Sequence, residues 1–337
     1  MSTYIQNKLA SGSKLHIFVT GASGYVGRHF TKLAIASGHT VHGLSRSSNG
    51  DEILKSLGAT PIRGDLSKHE LLKAEASKAD AVVHLAWNHD FSLDMNKVAD
   101  DDIAAVDAIM SVLSGTGKPL IHTSGVGGYV ETADGSAATE DVPKQTGVPL
   151  LDARGRAERN LLDRDDVHGA LIRLAPYVYG NGGSGFLVIW MSEALRHGES
   201  LYVEDGGNKA KSTVHVEDVA ELYLQAIQYA GKGEIYNGVS SAETTGKQMA
   251  EAVGEVMGVP TRAVTFEEGV GKFGQFLTFF NAIAANVSSQ KARDQLHWQP
   301  HGPAFLEDVK NGSYKAVAKE LKDTGNTKVA AEWGIGK

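Results

Sequence analysis

The residues best suited to hold a ligand come early in the chain. Val19-Thr20-Gly21-Ala22-Ser23-Gly24-Tyr25-Val26-Gly27-Arg28 follows an apolar run and opens a stretch of helical period. At such a junction Gly21 permits a tight turn, Gly24 lets the backbone approach a pyrophosphate, and Gly27 lets the helix pack closely on a sheet. The helix N-terminus, with Ser23, Tyr25 and Val26 around it, offers N–H donors and positive potential to phosphates. A dinucleotide site is therefore expected. An NAD site would place an acid about 20 residues further on, against the ribose 2′-OH. Here that place reads Leu44-Ser45-Arg46-Ser47-Ser48, without an acid. Arg46 can contact a 2′-phosphate, and Ser45 and Ser47 can donate to it, so the expected cofactor is NADP(H).

Other residues have the types for proton transfer. Thr123 and Ser124 end an apolar run and can donate a hydrogen bond to a substrate oxygen, or cap the loop locally. Trp87-Asn88-His89-Asp90-Phe91-Ser92 follows another run. His89 titrates near neutrality and can act as general acid, oriented by Asp90 or Asn88. Trp87 and Phe91 can wall an apolar pocket, and Asp90 can equally cap a helix. Tyr129, Tyr177 and Tyr179 are further donor candidates, or packed rings whose hydroxyls find partners. Metal chemistry has little support. His39 and His42 face opposite sides of a strand, and there is no H-E-x-x-H.

These residues need a frame. Short β-rich runs at Leu15–Thr20, Thr40–Ser45, Ala59–Arg63, Ala81–Ala86, Pro119–Thr123 and Ala170–Leu174 alternate with helical stretches such as Val26–Ser37 and Asp101–Leu113. Alternation of this kind predicts an α/β fold, a doubly wound parallel sheet of the Rossmann type. After Tyr179 the rhythm changes. Gly180–Gly185 reads as a loop, Val188–Arg196, Val214–Tyr229 and Gly246–Met257 as helices, and Glu234–Gly238 as a strand. The expected division is a dinucleotide-binding part at 1–179 and 214–232, a smaller, discontinuous substrate-covering part at 180–213 and 233–310, and a polar tail at 311–337.

Composition narrows the function classes. Of 337 residues, 33 are Lys or Arg and 40 are Asp or Glu, a net charge of −7 that gives no general attraction for nucleic acid or anionic membrane. No cysteine is present, which removes disulfides, thiolate metal sites and Cys nucleophiles. Met1–Ser13 lacks an apolar secretory core, and Phe273–Gln290 is too interrupted to span a membrane. A cytoplasmic protein is expected, with a homodimer as one arrangement.

With these residues in view, the chain resembles the short-chain dehydrogenase/reductase superfamily in its extended, epimerase/dehydratase-like form. Gly64-Asp65-Leu66 is similar to the segment after strand three, where the Asp meets the adenine. His84-Leu85-Ala86 is similar to the segment after strand four that lines the cofactor. Arg173-Leu174-Ala175-Pro176-Tyr177-Val178-Tyr179-Gly180 is similar to the turn beside the nicotinamide, which puts Pro176 and Tyr177 at that ring. Val214-His215-Val216-Glu217-Asp218-Val219-Ala220 and Leu296-His297-Trp298-Gln299-Pro300 resemble two further family segments.

The departures concern the proton relay. The family uses a Ser or Thr after strand five and Tyr-x-x-x-Lys about 25 residues on, the Lys lowering the Tyr pKa by proximity. Counting back from Tyr129, the family's Ser falls on Gly125, one place after Ser124. The Ala157-Glu158 pair sets the later register and puts Leu150 at the Tyr and Arg154 at the Lys. Arg154 can still bind ribose hydroxyls or a phosphate, but it does not deprotonate.

The expected activity is NADPH-dependent reduction of a small aldehyde or ketone, with Ser124, His89, Tyr177 and Arg154 as the catalytic candidates. Cofactor contacts are expected from the glycine loop, Ser45–Ser47, Asp65, Leu66, Leu85, Ala86, Trp87, Thr123, Arg154, Pro176 and Tyr177. Phe273, Phe276, Phe279, Phe280 and Ile283 form one apolar helical face. If it lines the pocket, the substrate is apolar or aromatic. The region after Gly180 offers only Arg196, Lys209 and Lys211 for a second diphosphate. The alternatives are an NADP(H)-binding sensor without turnover and a sugar-nucleotide epimerase or dehydratase.

Overall fold

The computed structural model describes residues 1–10, 13–90, 92–129, 131–183 and 185–326. Phe91, the side chain of Phe276 and the tail from 327 lie outside the described residues.

The strands are β1 (His16–Thr20), β2 (Thr40–Ser45), β3 (Thr60–Arg63), β4 (Ala81–His84), β5 (Pro119–Gly125), β6 (His168–Leu174), β7 (Tyr177–Tyr179), β8 (Ser200–Val203), β9 (Ala210–His215), β10 (Glu234–Gly238), β11 (Ser241–Thr245) and β12 (Thr261–Val264). Seven of them make one parallel sheet in the order β10-β6-β5-β4-β1-β2-β3. β1 and β4 are buried almost throughout, as apolar runs covered on both faces must be. Helices Tyr25–Ala36 and Val216–Tyr229 cover one face, and His69–Lys78, Met95–Leu113 and Pro149–Leu162 the other. The order reverses between β1 and β4, and a ligand crevice opens at such a switch point outside the carboxyl ends of the strands.

The sheet thus has the expected class with shifted boundaries. Glu234–Gly238 was expected in the substrate-covering part and instead pairs with β6 at the edge of the large sheet. The helix Val216–Tyr229 is the crossover that returns the chain there, as a parallel connection requires. Conversely, Tyr177–Tyr179 leaves the large sheet and joins a three-stranded sheet with β9 and β11.

The smaller part has its own core around Leu187, Met191, Met249, Val253 and Phe305. The segment expected as a polar tail contributes to it: helix Tyr314–Thr324 buries Tyr314, Ala318 and Leu321 there. Tyr314 also joins the two parts. Its hydroxyl accepts from the Gly180 N–H at 2.8 Å and donates to the Gly183 carbonyl, while the Tyr25 hydroxyl donates to the Gly180 carbonyl at 2.7 Å.

Tyr314→Phe removes both bonds of that hydroxyl and leaves a buried N–H unmet, so urea unfolding should show a loss of about 1–3 kcal/mol. A variant as stable as the parent would show that this junction carries little.

Candidate functional site

The glycine loop has the geometry that its spacing requires. Gly21 has φ +68°, and a Cβ there would approach Ala86 N at 2.9 Å. A Cβ on Gly27 would stand 2.1 Å from the Gly21 carbonyl, so only glycine lets the helix sit this close. Gly24 N-caps helix Tyr25–Ala36 without a side-chain cap bond, which leaves the first-turn N–H groups available to an anion. Ser23 and Val26 are partly buried beside it. The Tyr25 hydroxyl is spent on Gly180, so at this loop Tyr25 offers its backbone.

At the end of β2 three hydroxyls converge. A Cβ on Gly50 would meet Ser45 Oγ at 2.5 Å, Ser23 Oγ at 3.1 Å and Ser47 Oγ at 3.4 Å. Ser45 donates to the Ser47 carbonyl, and Ser47 caps the following helix by accepting from Gly50 N–H. Arg46 is exposed among them and has no hydrogen bond or ion pair among the described residues. Asp65 stands near its charge. Hydrogen bonds from the Ser67 hydroxyl and N–H hold the Asp65 carboxyl below its usual range. Leu66, Leu85 and Ala86 are partly buried along the crevice, and the Ala86 N–H donates to Thr20 Oγ1.

Below the crevice runs a buried polar chain that motif reading did not find. Thr20 Oγ1 meets His84 Nδ1 at 3.0 Å, His84 Nε2 meets Asp102 at 2.9 Å, and His122 Nε2 meets the other Asp102 oxygen at 3.3 Å. The two imidazoles stack 5.1 Å apart. Burial opposes the Asp102 charge, but His84 and His122 outweigh it and keep the carboxyl ionised well below its usual range. The ligand atoms of the three residues lie within 4.8 Å of one another, a set that could take a cation by type. Here both Nε2 atoms face Asp102.

A second buried cluster anchors the ends of β5 and β6. Glu158, on helix Pro149–Leu162, accepts from Ser124 Oγ at 2.5 Å and Lys144 Nζ at 2.6 Å on one oxygen, and from Arg173 on the other. Lys144 also donates to the Gly125 carbonyl at 2.8 Å, and Arg173 to the Tyr129 hydroxyl at 2.7 Å. Burial alone would raise Glu158, but Lys144 and Arg173 bring it down to about 2. Burial and Arg173 push the Lys144 ammonium down to about 8 against the pull of Glu158. Lys144 was not among the sequence candidates. Its only signal is a lone lysine in a loop, 14 positions from its carboxylate.

The structure brings only some of the catalytic candidates together. Ser124 points into the Glu158 cluster. Thr123 turns to the other face, bonded to the His84 carbonyl and the Tyr223 hydroxyl. Arg154 lies 3.6 Å above the Trp87 ring, a close cation–π contact, with no hydrogen bond among the described residues. Leu150 stands partly buried beside this pair. His89 is exposed, and desolvation by its loop followed by the charges of Arg154 and Arg46 holds its imidazole below the ordinary histidine range. It is therefore neutral at neutral pH and suits hydrogen bonding better than general-acid work. Pro176 is partly exposed. Tyr177 is buried among Phe186, Trp190 and Phe305, and burial pushes its hydroxyl pKa well above the ordinary value. Among the described residues no helix is long and apolar enough to cross a membrane.

The profile of the NAD dependent epimerase/dehydratase family matches residues 17–237. The chain is 33% identical over 300 residues to an uncharacterized protein of Saccharomyces cerevisiae, covering 88% of this chain and 98% of that one. It is 28% identical over 234 residues to the 4-hydroxy-2-methyl-3-oxo-4-farnesyl-3,4-dihydroquinoline-1-oxide ketoreductase of Stigmatella aurantiaca, covering 66% and 67%. The fold is similar to that of UDP-glucose 4-epimerase from Thermotoga maritima, with a TM-score of 0.72 at 22% identity over 93% of this chain and 100% of that one.

Glu158→Gln keeps the shape but removes the counter-charge of Lys144 and Arg173, and should cost about 3–5 kcal/mol in unfolding at neutral pH. The folded carboxyl lies below its ordinary 4.5, so its stabilisation is present above that value and is lost as pH falls toward about 2. The gap between parent and variant should narrow over that window. A gap independent of pH would exclude charge as its source.

Proposed function

The chain belongs to the NAD dependent epimerase/dehydratase family, and within it we propose an NADPH-dependent oxidoreductase that reduces the carbonyl of a small apolar or aromatic aldehyde or ketone. The observation that carries the cofactor preference is Arg46. Among the described residues it stands without a hydrogen-bond or ion-pair partner at the end of β2, beside the hydroxyls of Ser23, Ser45 and Ser47 and where an acid would select NAD. The substrate class rests on the uncharged aromatic wall beside Tyr177, and the named ketoreductase relative supports carbonyl reduction.

NADPH, when bound, supplies the hydride. The Gly21–Gly27 loop and the bare helix N-terminus would hold its pyrophosphate, Asp65 its adenine and Arg154 its ribose. The substrate oxygen still needs a proton. Arg154 does not give one up, His89 is neutral at working pH, and the Ser124 hydroxyl already donates to Glu158. In this reading the proton comes from Lys144, which is held near neutrality and bonded to Gly125 at the end of β5.

The test is NADPH oxidation against a panel of aldehydes, ketones and quinones, with NADH in parallel. NADPH should bind at least tenfold tighter than NADH, and Arg46→Ala should remove that preference while sparing NADH affinity. Equal affinities in the parent would overturn the assignment of Arg46. Lys144→Arg keeps the charge without a transferable proton. It should lower kcat by about a hundredfold, in line with general-acid catalysis, at unchanged NADPH affinity. A fully active variant would place the proton elsewhere. The missing Tyr at Leu150 favours one second reading, an NADP(H)-binding sensor. Tight NADPH binding without turnover across the panel would select it.

A further inference from the structure

Glu158 is one carboxylate that serves two cations. Its Oε1 accepts from Lys144 Nζ at 2.6 Å, and its Oε2 accepts from Arg173 Nη2 at 2.5 Å and Nε at 3.2 Å. Lys144 and Arg173 are therefore neighbours across a single counter-charge. Glu158 is 3% and Arg173 7% exposed, and the Lys144 side chain 14%. Both cations also lie against the Tyr129 ring, 5.9 and 5.4 Å from its centre. With so little water, an excess of positive charge here is poorly screened.

Both cations are held in place. Arg173 Nη1 donates to the Tyr129 hydroxyl at 2.7 Å and to the Glu140 carbonyl at 3.3 Å. The Tyr129 hydroxyl donates to Asn237 Oδ1 at 2.9 Å, and the Asn237 backbone N–H donates to the Glu140 carboxylate at 2.8 Å. The Lys144 backbone pairs with Tyr129, and the Gln145 N–H donates to the Gly128 carbonyl at 2.6 Å. Of the three ammonium N–H groups of Lys144, one goes to Glu158 and one to the Gly125 carbonyl at 2.8 Å. The third has no partner among the described residues.

Each element packed around Lys144 brings its own groups. Helix Pro149–Leu162 supplies Glu158 and Arg154, and β6 supplies Arg173. The loop after β5 supplies the Tyr129 phenol, itself raised by burial, and the Glu140 carboxylate beside it. Burial acts most strongly on the ammonium and pushes it down. Glu158 pulls it up, and Arg173 followed by Arg154 push it down again, to about 8.

We propose that Arg173 is a positioning residue for the reduction: it takes one oxygen of Glu158, so that Lys144 can give its third proton to a substrate oxygen without stranding a buried charge. This rests on the reading of Lys144 as the proton donor. In the step, an N–H bond of Lys144 breaks and its electron pair stays on nitrogen as the free amine. The proton forms the O–H bond of the alcohol, and the carbonyl is reduced as NADPH is oxidised to NADP⁺. Glu158 then remains paired with Arg173. Without Arg173 the same transfer would leave Glu158 as a buried carboxylate with no cation bonded to it, which is strongly unfavourable.

The experiment follows Lys144 directly by NMR. The full-length chain is labelled with [ε-¹³C]lysine, and the signal lost in Lys144→Arg identifies the residue. Its titration midpoint should lie near 8 in the parent. Arg173→Gln should raise the midpoint by about 1 pH unit or more, and Arg173→Lys, which keeps the charge, should return it to the parent value. The kcat of the parent should fall as pH rises through the same midpoint, because only the protonated form donates, and in Arg173→Gln that fall should move up equally. A midpoint that stays in place in Arg173→Gln overturns the proposal. So does a parent midpoint at the ordinary lysine value of 10.5, a measurement that needs no variant at Arg173. The two readings fail separately. A midpoint that moves, in a chain that reduces no carbonyl with NADPH, removes the reductase and keeps the coupling of Arg173 to Lys144. Turnover with an unmoved midpoint keeps the reductase and overturns the role of Arg173.

Discussion

Two buried carboxylates on successive helices set the crevice. Asp102 draws in His84 from β4 and His122 from β5. Glu158 draws in Ser124 from β5, Arg173 from β6 and Lys144 from the loop between them. A buried charge stripped of a partner is strongly destabilising, so neither set can loosen gradually. Strands β4, β5 and β6 are thereby fixed relative to one another near their ends. Asp102 is bonded to two imidazoles, and the Arg154 guanidinium also interacts with its charge.

The parts of this arrangement that were legible in the sequence are those whose chemistry is local. The glycine loop, the missing acid before Arg46 and the alternation of strand and helix each lie within a few residues, and each appears in the structure where its spacing put it. The edge strand Glu234–Gly238 was legible as a strand but not in its placement. Nothing in five residues says which sheet they join, and the crossover helix decides it. The Glu158 cluster was hidden because its members stand 14, 15 and 34 positions away and each reads alone as an ordinary polar residue. His89 was legible as a crevice residue. Its protonation was not, because that depends first on desolvation in the folded chain and then on Arg154 and Arg46, which are distant in sequence. The aromatic period from Phe273 to Phe280 was visible, and the break at Gly274 inside it was not.

The two ends of the crevice are built from different materials. Hydroxyls, an unpaired guanidinium and bare backbone N–H groups gather around β2 and the glycine loop, where a polyanion can be held with little burial. Aromatic rings gather beyond β5 and β6, where burial is deep and no charged side chain lines the wall among the described residues. The anchored strand ends lie between them and keep the spacing of the two ends constant.

The junction of Tyr25, Gly180 and Tyr314 gives this two-part molecule a pivot. A side chain on Gly183 would overlap the Tyr25 ring at 2.0 Å, so the surfaces meet there without slack. The tyrosine hydroxyls join them through backbone groups that have few alternative positions. A joint that cannot lengthen allows turning but not separation. Any turning of the smaller part about this joint would be smallest at the glycine loop and would grow with distance from it.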